Sequence, residues 1–315
     1  MRVLVTGGAG FIGSHLVDEL IEDGHEVIVF DNLSTGKKEN VNPKAKFFLV
    51  DISHQKYFKD KTMRDIMTGV DVVFHTAAKA RVQPSIDNPT EFNDVNVGGT
   101  LNMLQACVDY GVNRFVFSSS SSVYGDVEQF PTPENHKLNP MSPYALQKSI
   151  GEQYCKLYTE IHDLETVCLR YFNVYGDRMN VDGAYKLVIP IFTEQRLNGK
   201  PMTIRGDGEQ RRDFTYVGDV VDANIRAGFY ENPIWAEVFN VGNGDNKSVN
   251  QIADLLGNGY PPNGGDRINV NPVVEPRQTL ADNSKFKKMF NWKPTMKIEN
   301  WMKSYKERVG LWKSE

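Results

Sequence analysis

Met1-Arg2-Val3-Leu4-Val5-Thr6-Gly7-Gly8-Ala9-Gly10-Phe11-Ile12-Gly13 opens the chain. Residues 2–6 are a short apolar run suited to a buried parallel strand. Gly7, Gly10 and Gly13, which follow, have G-x-x-G-x-x-G spacing. Gly7 permits a tight turn, Gly10 lets backbone N–H groups approach a pyrophosphate, and Gly13 lets the next helix pack close to the strand. Leu16, Val17, Leu20 and Ile21 then form a helical stripe, and residues 26–30 read as a second strand. A strand, a glycine turn, a helix and a strand make the context that a dinucleotide site requires.

Outward from this unit, strand-like runs alternate with helical ones. The strands are expected at 2–6, 26–30, 46–50, 71–75, 114–118 and 166–171. Long amphipathic helices are expected at 90–110 and 142–162. This alternation predicts an α/β fold, a doubly wound parallel (Rossmann) sheet. After Gly176 the pattern loosens. Helices are expected at 185–197, at 217–230 and from 248, strands at 202–204 and 238–241, and an exposed loop at 257–266. We therefore expect a cofactor-binding domain over 1–175, with 214–245 returning to it. Residues 176–315 should be mainly a smaller, irregular α/β substrate lobe.

Bulk properties narrow the function. The chain has 315 residues, 40% hydrophobic and 24% charged, as expected of a globular enzyme. A net charge of −4 argues against nucleic acid as a partner. The sequence has no run of eighteen apolar residues, so no membrane span is expected, and the immediate opening strand leaves no room for a signal peptide. Cys107, Cys155 and Cys168 are scattered, as core thiols of a reducing cytoplasm would be. The six histidines lack metal-ligand spacing, so no metal is expected.

The second strand ends in Asp31. A carboxylate there accepts both ribose hydroxyls of an adenosine and repels a 2′-phosphate, which favours NAD over NADP. Lys37 and Lys38 just downstream are the counter-evidence, read as a solvated loop. Asp51 follows the third strand and is placed to meet the adenine amino group. Further on, Ser118-Ser119-Ser120-Ser121-Ser122-Val123-Tyr124-Gly125 precedes Tyr144-Ala145-Leu146-Gln147-Lys148. Tyr144 and Lys148 lie four apart on one helix face. A phenol titrates at about 10, too high for a base near neutrality, and a cation beside it lowers that value. With a strand-end hydroxyl as bridge, the pair can take a proton from an alcohol.

With these segments in place, the chain resembles the extended short-chain dehydrogenase/reductases, and among them the NAD-dependent UDP-galactose and UDP-N-acetylglucosamine 4-epimerases. Thr6 to Gly13, Asp31-Asn32-Leu33-Ser34-Thr35-Gly36, Ser118 to Gly125, Ser142 to Lys148, Arg170 to Gly176 and Arg212-Asp213-Phe214 carry the similarity. The resemblance implies 4-epimerisation of a UDP-hexose or UDP-N-acetylhexosamine through a transient 4-keto sugar. It implies Tyr144 as base, Lys148 as its activator and Ser120 as the catalytic hydroxyl. For the cofactor it implies Gly7, Gly10, Phe11, Ile12, Gly13, Asp31, Asn32, Ser34, Thr35, Gly36, Asp51, Ile52, Ala77, Ala78, Lys79, Asn96, Ser118 and Tyr171, together with Tyr144 and Lys148. For the UDP-sugar it implies Ser85, Ser120, Ser122, Asn173, Val188, Thr203, Arg205, Arg212, Arg277 and Thr279. Arg212 suits bidentate phosphate recognition. Arg211 competes for that task, and a surface ion pair of Arg212 with Asp213 or Glu209 is the plainer reading.

The chain departs from its relatives at several points. Ser121 and Ser122 stand where dehydratases and decarboxylases place an acid, so dehydration is disfavoured. Where the family usually has Arg-Pro-Gly-Asp, this chain has Val274-Glu275-Pro276-Arg277, which leaves the ribose contact without its aspartate. The size gate beside the sugar falls at Thr279, and a small residue there admits an N-acetyl group. Lys79, Arg81 and Arg178 are basic, which keeps a UDP-glucuronate 4-epimerase as the alternative; a non-catalytic dinucleotide-binding protein is the reading from another class. The resemblance also implies a homodimer through helices 90–110 and 142–162. Met103, Leu104, Cys107, Leu146, Ile150, Tyr154 and Leu157 supply apolar surface on those helices.

Overall fold

The structure, a computed structural model, describes residues 1–179, 187–257, 267–271 and 275–311. The opening unit is β1 (Arg2–Thr6), α1 (Phe11–Glu22) and β2 (Glu26–Asp31), followed by β3 (Lys46–Leu49), α2 (Lys61–Met67) and β4 (Val72–His75). Next come α3 (Val82–Asp87), α4 (Pro89–Asn93), α5 (Thr100–Tyr110), β5 (Arg114–Ser120), α6 (Pro143–His162) and β6 (Glu165–Tyr171). The remainder comprises β7 (Asn173–Tyr175), α7 (Val188–Leu197), β8 (Met202–Arg205), β9 (Arg211–Tyr216), α8 (Val217–Gly228) and β10 (Glu237–Val241). It ends with β11 (Asn246–Ser248), α9 (Val249–Gly257), β12 (Arg267–Val270), α10 (Ser284–Phe290) and α11 (Ile298–Arg308).

Seven strands form one parallel sheet in the order β10-β6-β5-β4-β1-β2-β3. The order reverses at β1, where β4 and β2 lie on opposite sides of it, and ligands of such sheets bind at this switch point. Buried residues of α1, α8 and α10 pack one face of the sheet. Those of α2, α5 and α6 pack the other. Ser142 starts α6 by accepting a hydrogen bond from the Ala145 N–H at 3.2 Å, with Pro143 at the first helical position, where its missing N–H costs nothing. A residue in the left-handed region, Asp163, ends it.

The expected parallel sheet is present, with β10 returning to pair with β6. β5 runs two residues past 118, because Ser119 and Ser120 continue the ladder opposite Arg170 and Tyr171. The expected helix over 90–110 is divided: a π-helical turn, Asp94–Gly99, joins α4 to α5. Met103, Leu104 and Cys107 are fully buried against the sheet, so they do not offer the outward apolar surface expected of them. The second half is more regular than its sequence suggests. β9 pairs with β7 and β11, and β8 with β12, beside a third core cluster built from α7, α9 and α11. The expected helical residues 185 and 186, and the expected loop beyond Gly257, lie outside the described residues.

Candidate active site

At the C-terminal ends of β1, β2, β4, β5 and β6 lies a cavity of about 850 Å³. Its first wall is the glycine loop. Gly7 has φ +73°, and a Cβ there would lie 2.7 Å from the Ala77 nitrogen. A Cβ on Gly13 would lie 2.2 Å from the Gly7 carbonyl oxygen. Only hydrogen fits at either position, so the loop stays tight and α1 begins at the cavity edge with free N–H groups. Gly10, Phe11 and Ile12 also border the cavity.

Asp31 stands at the end of β2, where its two carboxylate oxygens accept the Ala9 N–H at 3.0 Å and the Leu33 N–H at 2.8 Å. Burial raises its pKa, and those two N–H groups oppose the rise. The remaining lone pairs suit a ribose diol, and the cradle fits NAD. Asn32, Ser34, Thr35, Ile52, Ala77, Ala78 and Lys79 line the same cavity. Lys38 lies over the Phe47 ring, 3.3 Å from its centroid, whereas Lys37 does reach the cavity wall.

β5 delivers the serines. Ser122 donates its hydroxyl to Ser120 Oγ at 2.9 Å and its backbone N–H to the same oxygen at 3.2 Å. Ser120 Oγ therefore accepts twice, and its hydroxyl lies near enough to Tyr144 to lower the phenol's pKa. Burial raises the Tyr144 pKa, while the Ser120 hydroxyl and the Arg81 charge lower it. Tyr144 is fastened at its backbone, where its N–H donates to Ser85 Oγ at 3.1 Å. Lys148 is turned toward the strand: its Nζ donates to the Ser118 carbonyl at 2.7 Å and lies 6.0 Å from the Tyr144 ring centroid. Burial pushes the Lys148 pKa down to about 8.

The far wall comes from β7, β9 and the segment after β12. Arg212 borders the cavity, where its guanidinium pairs with Glu275 at 2.8 Å. Arg211 faces the other way and donates to the Asn246 side chain at 2.7 Å, as strand alternation requires. Of the two arginines, Arg212 is the one that lines the cavity. The two plainer partners of Arg212 are engaged elsewhere: Asp213 accepts three backbone N–H groups and Glu209 accepts from Asn250. Asn173, Thr279, Tyr171, Ser120 and Ser122 also line the cavity.

Several expected site residues do not reach this wall. Asp51 is engaged by Ser53 and by the Asn32 amide at 3.0 Å. Asn96 is buried, where its side chain accepts the Lys79 N–H at 2.8 Å and donates to the Lys79 carbonyl at 2.9 Å. It shapes the loop that carries Ala77 to Arg81. Ser85 supports Tyr144 from behind. Ser118 shares a hydrogen bond with the Tyr171 hydroxyl at 3.0 Å. Gly36 packs on Ala9, and a Cβ there would lie 2.9 Å from the Ala9 carbonyl carbon, too close to fit. Thr203 accepts from Gln195 at 2.7 Å, while Met202 and Ile204 take the inward positions of β8 and leave Thr203 and Arg205 outward. Val188 begins α7 off the wall, and its neighbour Leu187 takes the place. Arg277 is exposed and holds Asp207 with two contacts of 2.8 Å.

Sequence reasoning missed Glu275, whose only signal was a carboxylate four residues ahead of Thr279. It also missed the buried Glu152–Arg170 pair, in which Arg170 donates to the carboxylate at 2.8 and 2.7 Å. Among the described residues no helix is long and apolar enough to cross a membrane, and no group of three metal-ligating side chains is present.

The model of the NAD dependent epimerase/dehydratase family matches residues 3–242. The crystal structure of UDP-glucose 4-epimerase from Thermotoga maritima, with UDP-glucose, is similar with a TM-score of 0.87, 39% identity and 96% of each chain covered. UDP-N-acetylglucosamine 4-epimerase from Methanobrevibacter ruminantium, in complex with UDP-N-acetylmuramic acid, gives 0.88, 35% identity and 98% of this chain against 97% of that one. UDP-glucose 4-epimerase from Thermus thermophilus, in complex with NAD, gives 0.89, 35% identity and 98% against 99%.

Proposed function

Because this chain belongs to the NAD dependent epimerase/dehydratase family, we infer that it is an NAD-dependent UDP-sugar 4-epimerase, an isomerase of UDP-hexoses or UDP-N-acetylhexosamines. The observation that carries this reading is the convergence of Ser122, Ser120 and Tyr144 on the wall that also holds the glycine loop and Asp31. NAD, when bound, supplies the reversible redox chemistry at the sugar's C4. Asp31 receives its adenosine ribose, and the glycine loop with the α1 N-terminus receives its pyrophosphate.

The remaining work falls to the chain. Tyr144 takes the proton of the sugar 4-hydroxyl, with Ser120 bridging base and substrate. Ser122 fixes the direction of the Ser120 proton. Lys148 adds positive charge one helical turn away. Arg212 and Asn173 hold the diphosphate while the flat 4-keto sugar turns to present the other face of C4 for reduction, and Tyr144 returns the proton to the C4 oxygen. Glu275 occupies Arg212 until a diphosphate arrives, then becomes available to the uridine ribose.

We assign residues 1–175, with the return at 214–245, to the cofactor domain, and the rest of 176–315 to the substrate lobe. A small residue at Thr279, on the cavity wall, favours acceptance of both hexoses and N-acetylhexosamines. The uronate alternative needs a cation for a carboxylate; Arg178 pairs with Asp18 at 2.8 Å and Lys79 with Glu91, which weakens it. We further propose a C₂ dimer through α6, whose Leu146, Leu157 and Ile161 are exposed in one helical stripe. Three free, buried cysteines suit a reducing cytoplasm.

The test is incubation of the NAD-loaded protein with UDP-glucose, UDP-N-acetylglucosamine and UDP-glucuronate, followed by chromatography of the products. Interconversion of the first two with their C4 epimers is expected. Activity on the uronate alone would replace the reading by its alternative, and activity on none, with NAD bound, would leave a non-catalytic binding protein. Tyr144→Phe should abolish turnover while NAD stays bound, and Ser120→Ala should cost about a hundredfold.

A further inference from the structure

We propose that Arg81 is a positioning residue for the Tyr144 base, sharing with Lys148 the task of holding the phenolate. This rests on the reading of Tyr144 as the base. Three observations carry it. Arg81 and Tyr144 line the same cavity. Arg81 is the N-cap of α3, and Ser85 of that helix accepts the Tyr144 backbone N–H at 3.1 Å, so the turn that carries the guanidinium is tied to the start of α6. Arg81 also has φ +98° and ψ 140°, a conformation that glycine adopts freely and a side-chain-bearing residue does not. The chain retains an arginine at a position where glycine would relieve the backbone.

Chemistry gives the arginine a purpose. Lys148, the cation on the same helix, directs its Nζ to the Ser118 carbonyl, and burial lowers its pKa to about 8, so it is charged at neutral pH and loses that charge as the pH rises past about 8. A guanidinium does not deprotonate. The attraction is mutual: the Arg81 charge lowers the Tyr144 pKa, and Tyr144 raises that of Arg81 against the effect of burial. The Ser120 hydroxyl from β5 and Lys148 from the same helix stand beside Tyr144, and Arg81, from the turn before α3, lines the same cavity. His75, close to Lys148, is neutral because burial pushes its pKa to about 3.

The experiment uses the full-length, NAD-loaded protein and the variants Arg81→Gln, Arg81→Lys, Arg81→Gly and Tyr144→Phe. Two profiles are measured: kcat/KM for UDP-glucose against pH, and the tyrosinate absorbance titration that Tyr144→Phe removes. In Arg81→Gln and Arg81→Gly, both profiles should move to higher pH by about one unit or more, as loss of a neighbouring opposite charge requires. Arg81→Lys should keep most of the wild-type position, and Arg81→Gly should melt no lower than wild type, since its backbone is relieved. Unmoved profiles in both charge-removing variants, or a loss confined to KM, would overturn the proposal. Near-normal turnover by Tyr144→Phe would instead remove the base itself, whatever the Arg81 variants do.

Discussion

Replacing Glu152 by alanine leaves the Arg170 guanidinium in the core without its counter-charge. The pair is 6% and 4% exposed at its side chains, with contacts of 2.8 and 2.7 Å, and Ser119 donates its hydroxyl to the same carboxylate at 2.5 Å. Arg170 keeps two further acceptors, the Tyr124 hydroxyl at 2.8 Å and the Glu134 carbonyl at 3.0 Å, but neither is charged. Breaking such a buried pair from one side costs about 3–5 kcal/mol, a large share of a typical total stability of about 5–15 kcal/mol. Glu152 lies one turn beyond Lys148 and two beyond Tyr144 on α6, so the pair also fixes that helix against β5 and β6. We expect Glu152→Ala to lower the midpoint of urea unfolding at unchanged m-value, and the melting temperature by on the order of 10 °C. Replacing both partners with apolar residues, Glu152→Leu with Arg170→Met, should recover most of the loss, because no charge is then left buried. A single variant that costs under about 1 kcal/mol, or a double variant less stable than the single, would refute the reasoning.

Gly13→Ala should abolish NAD retention, read as loss of cofactor absorbance after gel filtration, because its Cβ would meet the Gly7 carbonyl oxygen at 2.2 Å; a variant that keeps full NAD occupancy contradicts the tight loop. Protein stripped of cofactor should bind NAD well ahead of NADP in calorimetry, and Asp31→Ala should erase the difference; equal affinities in the wild type would mean that Lys37 outweighs the carboxylate. Thr279→Tyr should cut kcat/KM for UDP-N-acetylglucosamine well beyond its effect on UDP-glucose, a steric penalty against one partner; equal losses would place Thr279 away from the sugar's C2. Sedimentation at micromolar concentration should show a dimer that Leu157→Glu disperses, and a wild-type monomer would remove α6 as an interface.

Much of this protein was legible in its chain. The glycine turn, the apolar runs of β1, β2, β4, β5 and β6, and the capped helix that carries Tyr144 and Lys148 depend on local periods and on backbone freedom. Those are properties of neighbouring residues, so they can be read without a partner. The direction of a side chain is different, because it depends on which strand a residue pairs with and on which face that strand is buried. Arg211 competed with the favoured Arg212 until β11 paired with β9 and left Arg212 on the cavity side. Thr203, Arg205 and Arg277 carried suitable chemistry but were turned outward or engaged by Gln195 and Asp207. Glu275, far along the chain, came to stand against Arg212, and Glu152 against Arg170. The order of the Ser122, Ser120 and Tyr144 hydroxyls and the strained turn at Arg81 likewise arise only when β5, α3 and α6 meet. The sequence by itself determined the sheet, the cofactor loop and the helix that carries Tyr144 and Lys148; tertiary packing decided which charges face the cavity, because charges far apart in sequence are matched only once the sheets and helices have closed on one another.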